Sequence, residues 1–274
     1  MDITLLLPAI LVALFTYLGA PQSPWLIGKT GGFYLLGRPL VAGLLVGIVF
    51  GDLQVAITCA ITVQVLYLAN SNSGGKSDSD ITCAAYAGIA LAVATNRQPW
   101  TAVIVAYLIG KLFQAVFSNR ILKLNAGFNK QVETTIKEGE IANIARFHVW
   151  QPQALAFLLR FIPMFILIFF GAPLLNWFFR VSPLVILDSL SAIGWILPVI
   201  GLVTMMSHLV KFDWHLLFVL AGLLAAGAFG VPIAWLFVIG LVVMVAYLII
   251  DPKKIDKSTK TVAKDVVTNE EGVV

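Results

Sequence analysis

Charged side chains are scarce in this chain: 12% of its 274 residues, against 59% hydrophobic. That balance excludes an ordinary soluble domain, because so much apolar surface cannot be hidden in one water-soluble core of this size. Cysteine is scarcer still. Cys59 and Cys83 stand alone in apolar surroundings, without histidine or cysteine at ligand spacing, so neither a disulfide framework nor a metal site is expected. A Walker-type glycine loop, a His-Glu-x-x-His pair and a Gly-x-Ser-x-Gly elbow are also missing, which leaves no catalytic centre to expect and no cofactor. The N-terminus lacks the positive region that precedes a secretory leader's apolar core, so Ile3 to Ala20 is expected to stay in the mature chain.

What the chain does have is long apolar stretches and a mean hydropathy of +0.94, the mark of an integral helical membrane protein. The stretches run roughly Ile3 to Ala20, Pro39 to Ala69, Ile81 to Thr95, Trp100 to Phe117, Gln153 to Phe179, Pro183 to Leu209 and Trp214 to Ile250. Several have the wrong length for one straight crossing of about 20 residues. Ile81 to Thr95 is short, and Pro39 to Ala69 is long with Asp52 near its middle. Trp214 to Ile250 has room for two passes, broken at the segment Ala226 to Pro232. The fold expected is an all-α polytopic bundle with broken helices and re-entrant hairpins, an architecture suited to transporters.

The few charges are segregated. Arg120 to Arg146 and Asp251 to Glu271 hold most of them, and both segments are expected to be cytoplasmic because of their lysines and arginines. Four passes between them satisfy that topology. Residues 1–250 are read as one membrane domain and residues 251–274 as a polar, disordered tail. The basic residues are scattered among acidic ones, which argues against a nucleic-acid partner.

Within this apolar setting lies the run Ala69-Asn70-Ser71-Asn72-Ser73-Gly74-Gly75-Lys76-Ser77-Asp78-Ser79-Asp80. Irregular polar chain at membrane depth survives only where it is buried in protein or lines a wet cavity; otherwise the run is an ordinary loop leaving the bilayer. Gln64, Asn72 and Asp80 recur at intervals of eight, about 12 Å apart on a continuous helix, and converge only if the chain doubles back. Gly74-Gly75 and the Ser- and Asn-rich composition favour such a reversal. Converged, two amides and a carboxylate suit a sugar, since a carboxylate accepts from adjacent hydroxyls while amides donate and accept.

Asp52, Lys111, Arg160, Asp188 and His208 are the other ionisable groups within apolar helices. Asp52 follows Gly51 and is placed to cap the next helix. Arg160 either snorkels or pairs with Asp188. Asn70 and Lys76 are supporting candidates within the run; Lys76 would favour an acidic sugar if it faced the cavity, whereas a loop lysine ordinarily faces water.

The segment Arg38-Pro39-Leu40-Val41-Ala42-Gly43-Leu44-Leu45-Val46-Gly47-Ile48-Val49-Phe50-Gly51-Asp52-Leu53 closely resembles the signature of the IIC membrane component of the mannose/fructose/sorbose family of the bacterial phosphoenolpyruvate-dependent sugar phosphotransferase system. The resemblance continues through Gln64 and the polar run, Arg160-Phe161-Ile162-Pro163, Leu197-Pro198-Val199-Ile200-Gly201 and Gly240 to Tyr247. It implies a sugar-translocating subunit of the bacterial inner membrane. Such a subunit pairs with a IID membrane subunit, typically as a trimer of IIC–IID pairs, and passes sugar to IIB, itself phosphorylated by IIA. It also implies that the sugar ligands fall on Gln64, Asn72 and Asp80. Ser79 stands where many relatives have proline, and Asn70 and Ser71 where they have glycine or an aromatic, so the identity of the sugar does not carry over. The competing readings are a stand-alone ion-coupled carrier driven through Asp52, Asp80 or Asp188, and a receptor or scaffold.

Overall fold

The stretch from Pro39 to Ala69 breaks where it holds its one carboxylate. Gly51, in a left-handed conformation with φ 76°, ends α2 (Pro39–Phe50). Asp52 then caps α3 (Leu53–Leu66), its Oδ1 accepting from the Val55 amide at 3.1 Å. At 1.5 Å per residue these helices are about 18 and 21 Å long, short of the roughly 30 Å hydrocarbon core. They form a hairpin that enters and returns. The computed structural model describes residues 3–26, 28, 30–69, 79–137, 149–209 and 213–250, and among the described residues there is no strand. Asn70, Asn72 and Lys76, like the tail beyond Ile250, lie outside them.

A second hairpin joins α4 (Ile81–Ala94) to α5 (Pro99–Phe113). Every residue of α4 from Ile81 to Ala92 is buried, which explains its composition: alanine and glycine let neighbouring backbones come close where leucine would hold them apart. A Cβ at Gly88 would sit 2.5 Å from the Ala102 carbonyl oxygen and 2.8 Å from the Ala106 methyl, so the α4–α5 contact depends on the missing side chain. From α5 the chain continues through a π-helical turn (Gln114–Ser118) into α6 (Asn119–Lys137). The resulting 39-residue rod would be about 58 Å long, so its charged end projects beyond the apolar core. The basic segment read from the sequence as water-exposed is therefore in large part a helix.

Two further helices frame the hairpins. α1 (Leu6–Leu18) packs antiparallel to α7 (Gln151–Val181), with the Tyr17 hydroxyl donating to Gln153 Oε1 at 3.1 Å. α7 runs alongside α4 in the same direction: Arg160 meets Asp80 near one end, and Arg97 Nη2 donates to Asn176 Oδ1 at 3.2 Å near the other. α8 (Leu184–Leu209) follows a short turn at Pro183 and approaches the hairpins through two glycines. Gly194 lies against the Trp100 backbone, and Gly201 against the carbonyls of Val65 and Leu66. By length and composition, α7 and all but the end of α8 can each cross a membrane.

The chain divides into two compact units, Met1–His208 and Leu209–Val274. The second contains α9 (Asp213–Gly227) and α10 (Ile233–Ile250), joined where the sequence places its Gly-Pro break. Gly230 turns the chain there with φ 63°, and the Val231 amide reaches back to the Ala225 carbonyl at 3.1 Å.

Candidate solute site

Asp80 ends the polar run and begins α4, and three neighbours hold it. Its amide donates to the Gly110 carbonyl on α5 at 3.0 Å, and its Oδ1 accepts from the Cys83 amide at 3.1 Å, capping α4. Arg160 on α7 closes the arrangement: Nη2 meets Oδ2 at 2.5 Å, while Nη1 lies 3.4 Å from Oδ1 and 3.3 Å from Cys83 Sγ. The side chains of Arg160 and Asp80 are only 1% and 5% exposed. This corrects the sequence reading of Arg160, which neither snorkels nor pairs with Asp188; Asp188 is on α8, beyond the turn at Pro183, and is exposed. A cation and an anion so deep are tolerated because each is the other's main partner.

One residue before this pair, Ser79 opens onto a cavity of about 320 Å³. Its walls come from the end of α3 (Leu66, Tyr67, Ala69), from α5 (Tyr107, Lys111) and from α8 (Leu197, Ile200, Gly201, Thr204). Ala69 and Ser79 are the described residues on either side of Asn70–Asp78, so both ends of the polar run open onto this space. The Tyr67 hydroxyl fastens the two ends to α5: it lies 3.2 Å from Ser79 Oγ and donates to the Ala106 carbonyl at 3.0 Å. Gly110 makes room for this knot, because a Cβ there would run into Ser79 Oγ, the Tyr67 hydroxyl and the Ala84 methyl.

Such a cavity is at the lower end of the range for small-molecule sites, about 300–1,000 Å³. Hydroxyls of Tyr67, Ser79, Tyr107 and Thr204 and the Lys111 ammonium give it hydrogen-bonding walls; Leu66, Leu197 and Ile200 give it an apolar one. A solute with hydroxyls around a compact C–H skeleton matches both kinds of surface.

The residues singled out from the sequence are distributed as follows. Gln64 is half-buried in the last turn of α3, two residues before the cavity lining begins, and neither it nor Asp80 is part of that lining. Asp52 serves as the cap of α3. Lys111 lines the cavity. Asn70, Asn72 and Lys76 are outside the described residues, as is the His208 side chain. Sequence reasoning missed Tyr107, Thr204 and Gly201. Tyr107 was within reach, being one helical turn before Lys111 and so on the same face; Gly201 stands in the segment Leu197–Gly201 that carries the resemblance, though with no site role read from it, and Thr204 carries no local signal. Among the described residues no group of three or more His, Cys, Asp or Glu is placed to hold a metal ion.

Re-entrant hairpins, crossing helices and a polar hollow at the mouth of a broken segment define a helical membrane transport protein. The chain belongs to the family described as the PTS system sorbose-specific IIC component, which it matches over residues 6–247. It is thus a sugar-transport membrane component of the phosphotransferase system, of the mannose/sorbose family. The mannose-specific EIIC component of Escherichia coli (strain K12) is 23% identical over 216 residues, 79% of this chain and 80% of that protein. The mannose-specific EIIC component of Shigella flexneri matches to the same extent. A solved structure described as a membrane protein superposes with a TM-score of 0.72 at 23% identity, covering 90% of this chain and 97% of that one. The structure of the mannose transporter ManYZ in complex with microcin E492 gives a TM-score of 0.52 at 22% identity, covering 92% and 98%. These two likenesses establish the shared fold.

Proposed function

We propose that this chain binds a sugar in the cavity between α3, α5 and α8 and passes it across the bacterial inner membrane to a IIB subunit, which phosphorylates it on arrival. The observation that carries this reading is the opening of both ends of the polar run, Ala69 and Ser79, onto one hollow of small-molecule size. In this reading Asn72, on the run between Ala69 and Ser79, supplies an amide to the sugar hydroxyls, and Gln64, in the turn of α3 before the lining begins, supplies one as the sugar moves past it. Asp80, committed to Arg160 and to the cap of α4, presents the returning end of the run from a rigid base.

The chain works with a IID membrane subunit, as a trimer of IIC–IID pairs, and with IIA and IIB as phosphoryl carriers; movement of one helical body against another exposes the site to each side in turn. A stand-alone ion-coupled carrier is less well supported, since Asp52 is used as a helix cap and Asp80 is countered by Arg160. Phosphoenolpyruvate-dependent uptake of radiolabelled sugars by cells expressing the chain with these partners tests the proposal. Uptake should fall sharply with Gln64→Ala and Asn72→Ala. Transport by the chain alone in liposomes, abolished by a protonophore, would support the carrier instead.

A further inference from the structure

The cavity wall holds a positive charge that no carboxylate among the described lining residues balances. Lys111 lines the hollow from α5, one turn beyond Tyr107 and so on the same helix face, and Thr204 lines it from α8. No carboxylate is among the lining residues. Of the two acids next to Ser79 in sequence, Asp78 is outside the described residues, and Asp80 already has its counter-charge in Arg160, with both side chains buried. The pair is neutral as a unit. Among the described residues Lys111 has no ion-pair partner, so the charge that the site offers to a solute is that of the ammonium.

A lysine near a membrane edge has a cheaper option, which is to extend its stem along lipid and put the ammonium in water. Lys111 is also among the residues that wall the cavity, where the other polar members are hydroxyls. Lys111 is itself exposed, so its ammonium stands in reach of a solute entering the hollow, and an anionic group there could take the place of part of its hydration. The hydroxyls of Tyr67, Ser79, Tyr107 and Thr204 are neutral, and the first two already bond to each other. An arriving carboxylate would complete the set.

We infer that the sugar carried by this chain is anionic, a hexuronate or related sugar acid, and that Lys111 reads its carboxylate. The inference rests on the proposed sugar site and deepens it by naming the substrate class. A uronate differs from its parent hexose only in having a carboxylate in place of the terminal CH₂OH, so the pair isolates what Lys111 recognises. A charge-assisted bond between lysine and carboxylate discriminates roughly ten- to a hundredfold.

The test is uptake of radiolabelled glucuronate and galacturonate against glucose and galactose, in cells expressing the chain with its IID, IIA and IIB partners. Membrane content of the chain is measured alongside to normalise each variant. At least one uronate should enter at least tenfold faster than its parent hexose. Lys111→Gln should collapse that ratio by tenfold or more, and Lys111→Arg should restore much of it. A preference for hexose, or a ratio indifferent to Lys111→Gln, overturns the inference and leaves the sugar site standing. If none of the four enters although a different, uncharged sugar does, the inference is likewise overturned; failure of every sugar in the complete system removes the sugar reading itself.

Discussion

Asp80 and Arg160 lie eighty residues apart and meet as a buried pair that joins the N-terminus of α4 to the first third of α7. The pair does two jobs at once. It holds the helix cap that starts the most buried helix of the bundle, and it fixes the returning end of the polar run beside the cavity. Arg160 Nε has no hydrogen-bond partner, so the guanidinium depends all the more on the two contacts that its Nη atoms make with the carboxylate.

Breaking the pair from one side should therefore be costly. Asp80→Asn retains a good N-cap side chain but leaves Arg160 as an uncompensated buried charge, and the expected loss of stability is about 3–5 kcal/mol. Asp80→Asn combined with Arg160→Met should regain most of it. Thermal unfolding of the detergent-solubilised protein checks both, and an additive double variant would show that the two residues do not act as a pair.

Gly110 is the position at which the knot of Tyr67, Ser79 and Asp80 touches α5. Gly110→Ala should push Ser79 and the Tyr67 hydroxyl off α5, costing about 1–3 kcal/mol as overpacking does, and should reduce uptake. Gly127→Ala in α6 is the matched control, because a Cβ there meets nothing within 4 Å. It should leave stability unchanged or raise it by about 0.5–1 kcal/mol.

Tyr67→Phe keeps the ring and removes the hydroxyl that reaches both Ser79 and the Ala106 carbonyl. About 1 kcal/mol of stability should be lost with the bonds. Sugar binding should weaken as well, because the anchor of the run's two ends is gone. A variant with normal binding affinity would detach the knot from the site.

Asp52 is assigned to structure. Asp52→Ala should destabilise α3 by about 1 kcal/mol and Asp52→Asn by much less, with uptake per folded molecule unchanged in both. Loss of uptake in Asp52→Asn at normal protein levels would instead point to a carboxylate that carries protons.

Local features of this fold were legible and distant ones were not. Gly51-Asp52 and the segment around Gly230-Val231-Pro232 announce helix breaks through residues that act on their own neighbours, and the structure breaks at both. The same is true of the cap by Asp52. The partner of Arg160 could not be read this way: an ion pair across eighty residues leaves no periodicity, and Asp188 was as plausible on charge alone. The cavity wall was hidden for a similar reason. Lys111 stands out as an ionisable group in an apolar helix, but Thr204 and Gly201 become site residues only because α8 leans on the carbonyls at the end of α3.

The most direct test of the account is whether sugar occupies the hollow beside Ser79. Cys59 and Cys83 are buried, so a new thiol can be followed against a quiet background. Thr204→Cys on the cavity wall and Val203→Cys beside it, outside the lining, would be reacted with a hydrophilic maleimide in membranes containing the assembled complex. Transported sugar should slow labelling at position 204 and leave position 203 unaffected. Equal labelling of Thr204→Cys with and without a sugar that the same complex demonstrably transports would contradict the central claim.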